Sequence, residues 1–143
     1  MTAQPSTSIV INTDGASKKN GGPSGAGVVI SDKHGRVLAR DLLYLGEVTN
    51  NVAEYRALIL GLKFAQRQGH QRILVQADAE LVVKQVRGEY RVRDAKLKPL
   101  HRQTMAMLDH FRHWAIEHIP RSQNKEADRL ANKAIDRHLS QRP

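Results

Sequence analysis

The sequence predicts one α/β domain whose sheet contains both antiparallel and parallel strands. Its 143 residues fit a single domain, and 40% of them are hydrophobic, which suffices for one packed core. The first third alternates in the way of strands joined by short turns, and helical periods then alternate with short apolar runs. We therefore expect one domain over 1–143, with disorder over 1–7 and a tail over 140–143.

Three strands are predicted first. Residues 8–13 alternate and are β-branched, and 15–25 have the composition of a turn. The runs GAGVVIS and RVLARDLLYLG follow as two more strands, joined by a turn over 32–35. Short connections between successive strands predict an antiparallel meander.

The period then becomes helical from Asn50 up to a stop at Gly69. RILVQAD is an apolar run typical of a strand buried on both faces, and LVVKQVRG predicts a short helix closed by Gly88. This order of strand, helix and strand predicts parallel pairing. A basic, irregular YRVRDAKLKPL comes next, then a helix through about Phe111, a strand HWAIEHI, a loop PRSQ and a last helix from about Asn124 to Leu139.

Composition narrows the classes of function. With 23 Lys and Arg against 14 Asp and Glu, the net charge is +9, which favours a polyanionic partner, although a merely basic surface would give the same count. There is no cysteine, which excludes disulfides, a thiolate nucleophile and a zinc site built on cysteine. We expect a cytoplasmic protein with no membrane segment, because no apolar run reaches about 18 residues.

Four carboxylates occupy positions where charge is costly. Asp14 follows Val10 and Asn12 at the period of a strand, so it shares their face. Glu54 lies in line with Leu58 on the helix stripe that should face the sheet. Asp78 ends the predicted parallel strand, where open α/β sheets place ligand-binding residues, and Asp128 lies in the first turn of the last helix.

Each of these acids also has a purely structural interpretation. Glu54 fits a capping box that begins at Asn51, and Asp78 fits a helix N-cap. Asp128 could simply complement the helix dipole. Four such acids in one small basic domain nevertheless indicate a shared cation, and oxygen ligands select Mg²⁺ or Mn²⁺ over Zn²⁺. The chemistry suited to such a site is two-metal hydrolysis of a phosphodiester.

Four blocks resemble the motifs of the type 1 ribonuclease H family: TDGASKKNGG, TNNVAEYRAL, QADAELVVKQVRG and HIPRSQNKEADRLANKA. The resemblance extends from about Ser8 to Asp136. It implies a ribonuclease H-like fold, a five-stranded mixed sheet in the order 3-2-1-4-5 flanked by helices. It also implies a metal-dependent endonuclease that hydrolyses the RNA strand of RNA/DNA hybrids and leaves 5′-phosphate and 3′-hydroxyl ends, with two Mg²⁺ or Mn²⁺ ions bound alongside the substrate.

The resemblance places the metal ligands at Asp14, Glu54, Asp78 and Asp128. The family's histidine, which assists proton transfer or product release, falls on His118 at the end of a predicted strand. Arg121 in the following loop is one alternative, and a purely structural role for His118 is another. Contacts with the minor groove and phosphates of the hybrid are implied for a further set of residues: Gly15, Ser17, Asn20, Asn50 and Asn51, with Thr49 in a pocket for a phosphate of the DNA strand. Helix capping is the alternative for Asn50 and Asn51.

Two features depart from the family's pattern. Ala79 and Glu80 follow Asp78 where relatives often have Ser and Gln, which puts a substrate contact in doubt. The basic helical protrusion of many relatives is missing, and a smaller patch is expected in its place: Arg91, Arg93, Lys96 and Lys98. A solvated charged turn is the alternative for that patch.

Three other functions compete with a ribonuclease H. A catalytically weak nucleic-acid-binding module of the same fold would be favoured by loss of an acid, and none is lost. A resolvase or transposase core would place its acids in other sequence contexts. A broader nuclease that also cuts double-stranded RNA stays open, and we expect a monomer.

Overall fold

The computed structural model describes residues 8–141, so the disorder expected over 1–7 and the last two residues of the expected tail lie outside the described residues. None of the helices within 8–141 combines the length and apolarity that crossing a membrane requires. The elements follow in this order: β1 Ser8–Ser17, a 3₁₀ turn Lys18–Asn20, β2 Pro23–Asp32, β3 Val37–Glu47, α1 Asn50–Arg67, β4 Arg72–Ala77, α2 Glu80–Val86, α3 Lys98–Leu108, β5 His113–His118, a 3₁₀ turn Arg121–Gln123 and α4 Lys125–Ser140.

The five strands form one mixed sheet in the order β3-β2-β1-β4-β5, which confirms the predicted fold class. β1, β2 and β3 pair antiparallel, as the short turns predicted. β1 pairs with β4, and β4 with β5, in parallel. β1 is therefore the central strand, with neighbours of both orientations.

The prediction that the first strand ends at Thr13 is wrong. β1 continues to Ser17, because Asp14–Ser17 pair with Ser24–Gly27 of β2. The predicted turn over 15–25 shrinks accordingly to the few residues around Lys18–Asn20, where Lys19 and Asn20 have positive φ angles of 53° and 49°. Asp14 thus lies within a paired strand and not at its end.

The start of the third helix also differs from the prediction. The irregular segment was expected to run through Leu100, but Lys98 is already helical. Pro99 lies in the first turn, where its missing N–H is not needed for a hydrogen bond within the helix. The helix ends at Leu108, three residues before Phe111, and the last helix ends at Ser140, inside the expected tail.

The two faces of the sheet are covered differently. On one face, α1, α2 and α3 bury the main apolar core with residues of the central strands, among them Ile11, Val28 and Val75. On the other face, α4 packs on β2 through a smaller cluster that includes Val29 and Leu130. Asn12 of β1 lies on this second, less apolar side, where its amide donates to Asn124.

Glycines allow the backbones of α1 and α4 to approach the sheet closely. A Cβ on Gly27 of β2 would collide with the main-chain oxygen of Ala127 in α4. A Cβ on Gly15 of β1 would collide with the main chain of Ala53 and Glu54 in α1. The first turns of α1 and α4 therefore lie against the sheet at the level of Asp14, from opposite faces.

We expect Gly27→Ala to lower the free energy of unfolding by about 1–3 kcal/mol or more, because the new methyl group meets backbone that can move only with the helix. Gly61→Ala is the matched control, since its Cβ would meet the side-chain methyl groups of Ile11 and Thr13, at 2.9 and 3.2 Å. Its cost is partly offset by the better helix propensity of alanine. Urea unfolding measures both, and an equal loss would contradict the backbone contact.

Candidate active site

Three of the four predicted carboxylates meet at one end of the sheet. Ligand oxygens of Asp14, Glu54 and Asp78 all lie within 4.8 Å of one another. Asp14 comes from β1, Glu54 from the first turns of α1, and Asp78 directly follows β4. Because β1 and β4 are parallel, their carboxyl ends lie at the same edge.

Asp14 is the most deeply buried of these acids, with 3% of its surface exposed. Burial raises the pKa of Asp14, and repulsion from Glu54, Asp78 and Asp128 raises it further. Its ionised form is therefore disfavoured until positive charge is supplied nearby.

Glu54 binds the central strand and does not cap its own helix. Its Oε1 accepts a hydrogen bond of 2.8 Å from the main-chain N–H of Gly15. The N-cap of α1 is Thr49, whose hydroxyl accepts from the N–H of Val52 at 3.4 Å, so capping by Glu54, Asn50 or Asn51 is wrong. Burial raises the pKa of Glu54, and the Gly15 N–H partly offsets that effect.

Asp78 has a buried oxygen that nothing satisfies. Its Oδ2 has no hydrogen-bond partner among the described residues. The N-cap residue of α2 is Ala79, so the interpretation of Asp78 as an N-cap is wrong. A buried carboxylate oxygen without a partner costs free energy, and a bound cation would remove that cost.

Asp128 lies in the first turn of α4, as predicted, and lines the same cleft. It helps to raise the pKa of Asp14, although it does not belong to the group of three within 4.8 Å. Asn132, one turn later, donates from Nδ2 to the main-chain oxygen and to Oδ1 of Asp128, at 2.9 and 3.2 Å. The fourth acid is thus held at the edge of the cluster.

The cleft over the acids is lined by five of the residues predicted to contact the substrate. Its lining includes these predicted residues: Gly15, Ser17, Asn50, Asn51 and Arg121. Asn20 is not among the lining residues, and its Oδ1 accepts from the N–H of Asn50 at 2.8 Å. Ser17 is also used structurally, since its hydroxyl donates to the oxygen of Val48 and accepts from Gly21 N–H at 2.9 Å.

Arg121 and His118 differ in their access to the cleft. Arg121 lines it, and its positive charge favours the ionised form of Glu54. His118 is the exposed last residue of β5 and is not among the lining residues. Of the two candidates, the structure places only Arg121 beside the carboxylates.

The predicted basic patch does not form one surface. Lys96 lies with Thr49 in a groove that Arg56 of α1 also lines. Arg91 and Lys98 line a different groove, together with Tyr90, His101 and Arg102, and Arg93 is exposed. Three of the four cations are therefore divided between two concave surfaces, and Arg93 lines neither of them.

Sequence reasoning missed Asn132 and Arg56. Asn132 follows Asp128 by four residues, so the helical period would have placed it on the same face. Arg56 follows Thr49 by seven residues, two turns along α1. In the sequence neither residue is distinguished from an ordinary solvated Asn or Arg on a helix.

Comparison with known proteins shows the family. A family model described as reverse transcriptase-like matches residues 12–134. The chain is 43% identical over 129 residues to the bifunctional protein Rv2228c of Mycobacterium tuberculosis, and 39% identical over 123 residues to ribonuclease HI of Halobacterium salinarum. These alignments cover 90% and 86% of this chain, and 35% and 62% of the relatives.

A solved structure agrees over the whole fold. LC11-RNase H1 in complex with an RNA/DNA hybrid superposes with a TM-score of 0.87 at 40% identity, over 92% of this chain and 99% of the other. The chain belongs to the type 1 ribonuclease H family. It spans about a third of the length of the mycobacterial relatives, 35% in each case.

Removing one acid should stabilise the metal-free protein. In the folded state the pKa of Asp14 lies above its ordinary value of 3.8, so stability falls as pH rises above that value. We expect Asp14→Asn, measured by thermal unfolding in chelator, to match wild type below pH 4 and to exceed it increasingly towards neutral pH. Asp109→Asn removes an exposed acid and should show no such gain; an equal gain would contradict the assignment to the cluster.

Proposed function

We propose that this chain is an endonuclease that hydrolyses the RNA strand of RNA/DNA hybrids, leaving 5′-phosphate and 3′-hydroxyl ends. The observation that carries the proposal is the group of Asp14, Glu54 and Asp78 within 4.8 Å, with Oδ2 of Asp78 buried and without a partner in the described part of the chain. Membership of the family and the hybrid-bound relative support the choice of substrate.

The donor set fits a hard divalent cation. The three acids offer only carboxylate oxygens, and the chain has no cysteine to compete for a softer ion. We infer two Mg²⁺ or Mn²⁺ ions, held by these acids and by Asp128. When bound, such ions activate the attacking water and stabilise the leaving oxygen.

The side chains around the acids have separate roles in this proposal. Asp14, Glu54, Asp78 and Asp128 hold the metal, and Glu54 also fixes the main chain of Gly15. Arg121, the only basic residue of the cleft lining within residues 8–141, binds a phosphate next to the scissile bond and neutralises charge there.

Recognition of a hybrid needs contacts with both strands. Asn50 and Asn51 line the cleft with short amide side chains, which can reach 2′-hydroxyls and base edges without requiring one sequence. The groove of Thr49, Arg56 and Lys96 adjoins the start of α1 and combines a hydroxyl with two cations. We propose that this groove binds a phosphate of the DNA strand.

The test is cleavage of labelled RNA/DNA, RNA/RNA and DNA/DNA duplexes in Mg²⁺, Mn²⁺ or EDTA. We expect cleavage of the RNA strand of the hybrid that requires metal, and loss of more than about 100-fold in Asp78→Asn, since an acid at the reacting centre contributes on that scale. Asp109→Asn should cleave like wild type. Binding without cleavage would favour the module that only binds, and equal cutting of double-stranded RNA would favour the broader nuclease.

The predicted basic patch should contribute to binding of the duplex and not to the chemical step. Replacing Arg91, Arg93, Lys96 and Lys98 together by Gln should raise KM and leave kcat nearly unchanged. Each phosphate contact contributes about −0.9 to the slope of log affinity against log salt for duplex DNA, so the slope should flatten by up to several units.

The control for that variant replaces four exposed cations remote from the carboxylates: Lys33, Arg36, Lys63 and Arg67. The first two lie in the turn from β2 to β3, and the others in the last turns of α1, whose first turns carry Glu54. If both quadruple variants change the salt slope equally, the predicted basic patch has no special contact with the duplex.

A further inference from the structure

Asn124 links the two elements that carry Asp14 and Asp128. It is 2% exposed and directly precedes α4. Its Nδ2 donates 2.9 Å to the main-chain oxygen of Thr13, the residue before Asp14. Its own main-chain oxygen accepts from the N–H of Asp128 at 3.1 Å. One buried residue is thus bonded to the peptide next to the first acid and to the fourth acid itself.

A second amide sets the orientation of the Asn124 side chain. Asn12 donates from Nδ2 to Oδ1 of Asn124 at 3.1 Å, and also to Oε1 of Gln76 in β4 at 3.3 Å. Gln76 in turn donates to Oε1 of Glu117 in β5 at 2.7 Å. A carboxylate only accepts hydrogen bonds, so Gln76 must donate to Glu117 with its amide nitrogen and accept from Asn12 with its oxygen. Asn12 therefore also donates to Oδ1 of Asn124, which leaves Nδ2 of Asn124 facing the main-chain oxygen of Thr13.

The side chain of Asn124 does not serve the helix that it precedes. It makes no capping hydrogen bond to the first turn of α4, although Asn is a good capping residue. Its bonding capacity goes instead to β1, across 111 residues of sequence. A buried amide that stabilised only its own helix would be expected to bond the free N–H groups of that helix.

The position of Asp128 depends on how α4 sits on the sheet. Asp14, Glu54 and Asp78 already form one group. Asp128 lies outside that group, and its position is set by α4, which carries it. We propose that Asn124 is a positioning residue that sets the distance of Asp128 from Asp14, with Asn12 holding the Asn124 amide in the required orientation. The expected effect of Asn124 on cleavage rests on the proposed function, whereas its expected effect on metal binding does not.

Kinetics on the hybrid give the first readout. Asn124→Ala should lower kcat at saturating Mg²⁺ by about 10–100-fold, as is typical for partners of metal ligands, and leave KM within about twofold. Asn12→Leu should lower kcat less, and should have little further effect when Asn124 is already Ala, because both act through one bond. Ile135→Ala is the control: it removes a fully buried side chain from the same helix without touching this hydrogen-bond row.

Metal binding gives a readout independent of cleavage. The rise in Tm on adding Mn²⁺ should be reduced in Asn124→Ala by the same amount as in Asp128→Asn, and retained in Ile135→Ala. Should Asn124→Ala not fold, Asn12→Leu should show part of the same reduction. Retention of the full rise in Asn124→Ala and Asn12→Leu, or an equal loss in Ile135→Ala, would overturn the proposal. A wild type that cleaves no hybrid would instead refute the proposed function, while the Mn²⁺ comparison still decides the role of Asn124.

Discussion

Repulsion among carboxylates around the central strand is the constraint on which the site depends. Asp14 is 3% exposed, and three other acids raise its pKa together with burial. A metal-free domain therefore carries an electrostatic cost at its centre, which the apolar core on the opposite face of the sheet must offset. The same arrangement favours binding of a divalent cation by the cluster. The electrostatic cost of the metal-free state and the capacity to bind metal therefore both come from the closeness of the carboxylates.

The acids lie close together because β4, α1 and α4 all approach β1 near Asp14. Parallel pairing brings the end of β4, and with it Asp78, beside β1. Gly15 admits the first turns of α1 from one face, and Gly27 admits those of α4 from the other. Any side chain at either glycine would collide with helix backbone, so the small residues of the sheet determine how near the acids of the helices can come.

The cluster of carboxylates in the cleft would by itself repel a phosphate backbone, yet the chain as a whole carries a net charge of +9. The cations are placed around the cleft and not within the cluster. Arg121 lines the cleft, while Lys96 and Arg56 lie in the adjoining groove. The positive charge of these residues thus lies beside the carboxylates and not among them, which leaves the carboxylates available to a cation.

The sequence by itself determined the fold class, the order of elements and the element on or beside which each of the four acids lies, because periods of 2 and 3.6 and compact motif blocks are local signals. The helical period places Glu54 on the stripe that faces the sheet, but it shows neither the bond to Gly15 nor the cap at Thr49. Tertiary structure alone decided that β1 continues past Asp14 and that Asn12 meets Asn124. Those two amides are 112 residues apart, and a single hydrogen bond over that separation leaves no periodic trace, since it depends on strand register and helix packing that form only when the whole chain folds.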